Sequence, residues 1–296
     1  MQMQRIATKS LAGAAIALAC SITTLAANNQ SFIATTGVDI NACTATAYCR
    51  TLTKALTVTN PGGEIIVVNS GGYAPATIAQ PVTITAIGVD ASIYATTGNG
   101  LTINTTGNVS ITGINLRGRG TGNDGILVEA VGFLRIYSVQ IQHFDVDGID
   151  FKAVDGNLAM YNSQILDNGH DGLHLDAAGA RAYVNGTGFD NNTYAGGDSE
   201  LGKLTIADSS AHTNGVGFLS NGGTVTLDND RAIFNNIGLE VTAAGRLHFA
   251  GCLLSENTTA WKAAAGGTLS GSSPGTTLIA PGQASSGTLA AGTTLQ

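Results

Sequence analysis

A glycine at the head of a short alternating apolar run recurs along this chain. Gly100 opens "GLTINTTGNVSITGINLRG", Gly125 opens "GILVEAVGFLRIYSVQIQHFDVD" and Gly148 opens "GIDFKAVDGNLAMYNSQILDNGHD". Gly172, Gly217 and Gly238 open three more runs of the same kind. The spacings are 25, 23, 24, 45 and 21 residues, and the 45-residue step holds two units. A fixed period of this size is the signature of a repeat architecture. Each unit carries three short stretches of period-two alternation, broken near a Gly or Asn, and none is long enough for a helix. A unit so small cannot bury its apolar face alone, whereas stacked units share one continuous core. Three strands per unit, all running in one direction, predict an all-β, single-stranded parallel β-helix of about eight coils. The composition agrees: charged residues are 11% of the chain, aromatics 5%, and there are 40 glycines. Strands and tight turns suit that mixture.

Asn168, Asn192, Asn214, Asn235 and Asn257 recur at one turn of the repeat. Stacked Asn side chains can hydrogen-bond along the axis, and Asn tolerates left-handed backbone. An open end of the stack exposes strand edges and needs a cap. "CRTLTKAL", residues 49–56, sets Leu52 and Leu56 one helical turn apart and predicts a short capping helix. At the other end, residues 263–296 contain no Asp, Glu, Lys or Arg. That tail is expected as a final irregular coil or as disorder, and its lack of charge allows an end-to-end homo-oligomer.

Residues 1–27 have the pattern of a signal peptide: Arg5 and Lys9, an apolar run from Leu11 to Cys20, then small residues to Ala26 and Ala27. The expected destination is secreted, periplasmic or cell surface. A lipoprotein site at Cys20 is the lesser alternative, because Ala17 stands where such sites usually carry Leu. No other stretch has the 18 uninterrupted apolar residues of a transmembrane helix. In an exported chain, Cys43 and Cys49 are expected to close a small disulfide loop, and Cys252 in "LHFAGCLLS" is expected to be a buried thiol. A net charge of −7 without a basic cluster argues against nucleic-acid partners.

"TTGVDINACTATAYCRTLTKAL", "PGGEIIVVNSGGY" and the Gly-led coils, over about residues 34–262, resemble secreted bacterial right-handed parallel β-helix proteins of the pectin-lyase-like superfamily. The resemblance implies a right-handed helix of coils from 28 to 262. That superfamily spans lyases, hydrolases, epimerases and adhesins, so the fold does not imply one activity.

Chemistry concentrates in "DNGHDGLHLD", residues 167–176, and in the coils before it, where three of the five histidines lie. Asp124, Asp147 and Asp171 each precede a coil-opening glycine, 23 and 24 residues apart, and should stack in one column at the ~4.8 Å strand spacing. As turn residues they are expected at the surface. Beyond the glycine, Ile149, Phe151, Leu173 and Leu175 should point inward, and Asp150, Lys152, His174 and Asp176 outward. Stacked carboxylates repel unless a cation intervenes. Asp124, Asp147, Asp150, Asp171 and Asp176 are therefore the candidate calcium ligands. His170 and His174 read as H-x3-H, but Gly172 interrupts the helix that a zinc site of that spacing needs.

"DVDGIDF" and "GHDGLHL" resemble two motifs of the superfamily's polygalacturonases, with Asp147 and Asp171 at matching aspartates. Val146 and His170 depart from that pattern, and the family's Gly-His-Gly and Arg-Ile-Lys elements have no match. Ordinary Asp-Gly turn chemistry is the competing explanation. Asp147, Asp171 and His174 are the candidate catalytic residues. Arg135, Lys152, Tyr183 and Arg181 are the candidate substrate-binding residues, with His143 and Phe133 nearby, and Arg135 and Tyr183 are expected to face outward from one strand position two coils apart. "TYAGGDSELG", residues 193–202, is expected to be a long connection walling the site. The function expected is engagement of an extracellular, acidic polysaccharide on the Asp/His-rich face. The alternatives are a non-catalytic surface scaffold or adhesin, and a polysaccharide lyase, epimerase or glycoside hydrolase.

Overall fold

A computed structural model describes residues 28–271, 278–279 and 284–290. The signal-peptide segment 1–27 and Cys20 lie outside the described residues. The chain winds through three parallel sheets, each built from one strand per coil. Sheet I holds the strands that follow the coil-opening glycines, such as Ile126–Ala130, Ile149–Phe151, Leu173–Leu175, Ala195–Ser199 and Val216–Ser220. Sheet II follows, with Phe133–Tyr137, Asn157–Tyr161, Arg181–Asn185 and Lys203–Ala207, and sheet III completes each coil. Among the described residues the sheets contain ten, eleven and ten strands, so strands at both ends extend the expected coils. The stack also runs past 262: the strand Thr259–Ala263 crosses that boundary, and Thr268–Gly271 and Ala284–Ser286 pair onto sheets II and I. The described part of the tail is thus coil.

Period-two alternation places one column of sheet I inside. Leu101, Ile126, Ile149, Leu173, Gly197, Phe218, Leu239 and Trp261 are successive partners in register. Ile206, Leu204 and Phe218 close over the missing side chain at Gly197. Ile149, Phe151, Leu173 and Leu175 are all fully buried, as the alternation requires. The coil-opening glycines form their own column. A Cβ on Gly125, Gly148, Gly172, Gly196 or Gly217 would lie 2.4–2.6 Å from the carbonyl oxygen of the next glycine in the column, so only glycine fits.

The helix Leu52–Val58 covers the first coil with Leu52, Ala55 and Val58 buried, and Leu56 packs against the same core. Its N-cap, Thr51, accepts the Lys54 N–H and is itself held by Asp39. Cys43 and Cys49 form a disulfide, and Cys252 is a buried free thiol whose pKa burial pushes up to about 12. Among the described residues, no helix is long and apolar enough to cross a membrane.

The Asn column is a ladder. The Oδ1 atoms of Asn168, Asn192, Asn214, Asn235 and Asn257 each accept a main-chain N–H from the preceding coil, at 2.8–3.3 Å. The left-handed residue, however, is the one before each Asn. Asp167, Asn191, Thr213, Phe234 and Glu256 have φ between 55° and 60°. Thr213, β-branched, and Phe234, aromatic, are misfits in a region that favours Gly and Asn, and Phe234 has 62% of its surface exposed. Phe234→Asn should therefore stabilise the protein by about 0.5–1 kcal/mol. A urea midpoint unchanged or lowered by that substitution would count against it.

Candidate functional site

The column Asn99, Asp124, Asp147, Asp171 exists, but its aspartates are buried. Asp147 is 3% exposed and Asp171 is fully covered. This corrects the surface-turn expectation, and the cause is the stacking itself: a turn in a β-helix has another turn above and below it. Each side-chain Oδ1 accepts the N–H of the corresponding residue one coil on. Asn99 takes the Asp124 N–H at 3.2 Å, Asp124 that of Asp147 at 3.2 Å, Asp147 that of Asp171 at 2.8 Å, and Asp171 that of Ala195 at 2.7 Å. One oxygen of each aspartate is thereby committed to the fold. Mutual repulsion is relieved by main-chain donors rather than by solvent.

The second oxygens face the outer surface of sheet I. There the register stacks Asp150, His174 and Asp198 in one outward column. His170 Nδ1 lies 3.0 Å from Oδ1 of Asp147 and 3.1 Å from Oδ2 of Asp171. His174 Nδ1 lies 3.7 Å from both Oδ2 of Asp147 and Oδ1 of Asp150, and its Nε2 lies 3.9 Å from Glu200. Lys152 pairs with the other oxygen of Asp150. Oδ1 of Asp150 and Oδ1 of Asp198 are buried without a hydrogen-bond donor. Exposed Tyr194 stacks on the His170 ring at 4.9 Å between centroids.

The titration of these groups follows from burial and neighbouring charge. The hydrogen bond to Asp171, aided by Asp147, lifts His170 to about 9. Burial works against charging His174, but Asp147, Asp171 and Asp198 outweigh it and raise His174 to about 9. Burial, with the charge of Asp171, raises Asp198 to about 8, and burial alone accounts for most of the rise of Asp124 to about 6. For Asp147 burial is overcome by donors from His174, Asp171 and His170, and its pKa is lowered. In this network Asp147, Asp150 and Asp171 face His170, His174 and Lys152.

The candidate catalytic set Asp147, Asp171 and His174 is brought together, with Asp150 and Lys152 beside it. Asp176 joins only His174 and Glu200. Asp124 belongs to none of the groups that could hold a metal, so the five-aspartate calcium site does not assemble as expected. Every such group includes a histidine, as in Asp147–Asp150–His174 and Asp171–His174–Asp198. Mixed nitrogen and oxygen donors suit a first-row divalent ion better than calcium, which takes six to eight oxygens. Arg135, Arg181 and Tyr183 lie elsewhere, on sheet II, with Arg135 and Tyr183 in one register column two coils apart as expected. His143 stands 3.7 Å from Asp167, on the turn leading into sheet I.

The supposed connection 193–202 is a coil strand, Ala195–Ser199, paired between Leu173–Leu175 and Val216–Ser220. It supplies Asp198, with Tyr194 and Glu200 at its ends, three residues absent from the sequence-derived set. Their signal was present: Gly196 falls 24 residues after Gly172 and 21 before Gly217, on the repeat.

No curated protein matches the chain. Among solved structures it is similar to the pectate lyase Pel9A, with 16% identity over 84% of this chain and 80% of that one, at a TM-score of 0.61. An alginate lyase from Paenibacillus sp. str. FPU-7 shows 15% identity over 89% of this chain and all of that one, at 0.60. A rhamnogalacturonan lyase shows 14% identity over 90% and 84%, at 0.52. At such identities the likeness is one of fold. The family described as the right handed beta helix region matches residues 125–279, more than half of the chain, and with the three stacked parallel sheets it places the protein in the right-handed β-helix family.

Proposed function

We propose that this protein engages an extracellular polysaccharide on the outer face of sheet I, at the network around His174. The observation that carries this reading is the convergence of exposed His170 and of His174 on Asp147, Asp150 and Asp171. Nδ1 of His170 is taken by Asp147 and Asp171, which leaves Nε2 of this exposed ring to hydrogen-bond a sugar hydroxyl. Tyr194, stacked on His170, adds an exposed aromatic edge for a sugar ring. Export of the chain is part of the same reading, and the Cys43–Cys49 disulfide supports it. The lyases of similar fold act on polysaccharides by their names, which favours glycans over other polymers. Should the site also carry out proton transfer, as a lyase or epimerase must, Asp147, Asp171 and His174 are the groups positioned for it.

Affinity electrophoresis against a panel of neutral and acidic glycans tests the reading, with and without calcium, manganese or zinc. At least one glycan should retard the protein, and Asp198→Ala with His174→Ala should lower that retardation about tenfold. Equal retardation of the wild type and the double variant would return sheet I to a purely structural role and favour the scaffold alternative.

A further inference from the structure

The acidic network of sheet I has an opposite on sheet II. The register of sheet II places Arg181 beside Lys203, and Arg135 two rungs from Tyr183 in the neighbouring column. Tyr137 and Tyr161 are partners in register, with rings stacked at 5.1 Å and 9° between planes. Tyr183 continues the row at 5.9 Å from Tyr161, tilted by 57°. The Arg135 guanidinium lies over the Phe133 ring, 4.2 Å from its centroid. Arg181, Lys203, Tyr137 and Tyr183 are exposed, and Arg135 is partly so. Among the described residues, the Lys and Arg ion pairs are Lys152–Asp150 and Lys262–Glu240, so none of these three cations is neutralised by a carboxylate.

We propose that this outer face of sheet II binds a linear polyanionic glycan, at a site separate from the network on sheet I. Charge complementarity selects the ligand. The chain carries a net charge of −7, and on sheet I Lys152, His170 and His174 are already engaged by carboxylates. Sheet II offers an anionic polymer unpaired cations over four consecutive rungs, about 14 Å at the strand spacing. The ring stack fixes the tyrosines in advance, so three phenol hydroxyls can meet sugar hydroxyls with little side-chain entropy left to lose. Arg135 is held in the same way by Phe133. A nucleic acid is the less suited polyanion, because its phosphate density calls for a more basic surface than three cations provide. The inference does not rest on the reading of sheet I, and the two are separable by experiment.

The test uses the mature full chain in gels containing polygalacturonate, alginate or a neutral galactan. One or both polyuronates should retard it and the galactan should not. Raising the salt to about 1 M, where the Debye length is about 3 Å, should abolish the retardation. Arg181→Glu with Lys203→Glu should weaken it at least about tenfold. Arg181→Lys with Lys203→Arg should keep it, which separates charge from folding. The sheet I variants Asp198→Ala and His174→Ala should also keep it. The proposal is overturned by no retardation in either polyuronate, by equal retardation in galactan, by indifference to the charge reversal, or by tighter binding to a single-stranded DNA of equal charge.

Discussion

Gly172→Ala should destabilise the protein by about 3 kcal/mol or more, although it adds one methyl group to a chain of 296 residues. The methyl carbon would sit 2.5 Å from the Gly196 carbonyl oxygen, 2.9 Å from the Phe189 ring and 3.0 Å from the Asn192 amide. Two of these neighbours cannot yield cheaply. The Gly196 carbonyl belongs to the next rung, and Asn192 is locked in the Asn ladder. Relief would require the rungs to part, yet the Gly172 N–H is bonded to Ala195 at 2.8 Å and its carbonyl to the Ile149 N–H at 2.9 Å. Gly188→Ala is the control. Its methyl would meet only the Asp190 side chain at 3.2 Å, which can swing aside, so a change within about 0.5 kcal/mol is expected. Urea denaturation of both variants checks this, and equal midpoints for the two would refute the steric account.

The same column explains how far the sequence could be read. Gly100, Gly125, Gly148 and Gly172 are visible by spacing because the stacked backbone excludes every other residue there. The inward positions were equally legible, since Ile149, Phe151, Leu173 and Leu175 alternate with polar neighbours and the strand period is two. Burial of the aspartates was not legible. In an ordinary domain an Asp-Gly turn faces water, whereas here Asp147 and Asp171 are covered by coils on both sides and bonded to main-chain N–H groups. Membership of a coil also does not specify a face. Arg135, Arg181 and Tyr183 share coils with the Asp/His residues, but they follow the coil-opening glycine by nine to eleven residues and fall on sheet II. Asp198 was hidden because "YAGGDSEL" carries Gly197 where neighbouring coils have Leu173 or Phe218, which erased the apolar alternation.

A loss of about 1–3 kcal/mol is expected from Asn214→Ala. Asn214 is 3% exposed and makes four side-chain bonds. Its Oδ1 accepts the Asn192 main-chain N–H at 2.8 Å and the Asn192 amide at 3.1 Å. Its Nδ2 donates to the Phe189 carbonyl at 2.9 Å and to Oδ1 of Asn235 at 3.1 Å. The two side-chain neighbours keep other partners after truncation, because Asn192 still donates to Ile165 and Asn235 still accepts the N–H of residue 214. The main-chain N–H of Asn192 does not: it is left buried and unmatched, at a cost of about 1–3 kcal/mol, whereas the Phe189 carbonyl keeps its place in the ladder with Ser210–His212. Water cannot replace the amide without opening the turn, since coils lie on either side of it. Asn236→Ala, at an exposed position on the equivalent turn of the next coil, should change stability by less than about 0.5 kcal/mol. Amide exchange adds a local reading, because the N–H of Asn192 should lose protection in Asn214→Ala before the inward strands of sheet I do. Loss below about 1 kcal/mol, or exchange at Asn192 as slow as in the wild type, would mean that the ladder is not what holds this turn.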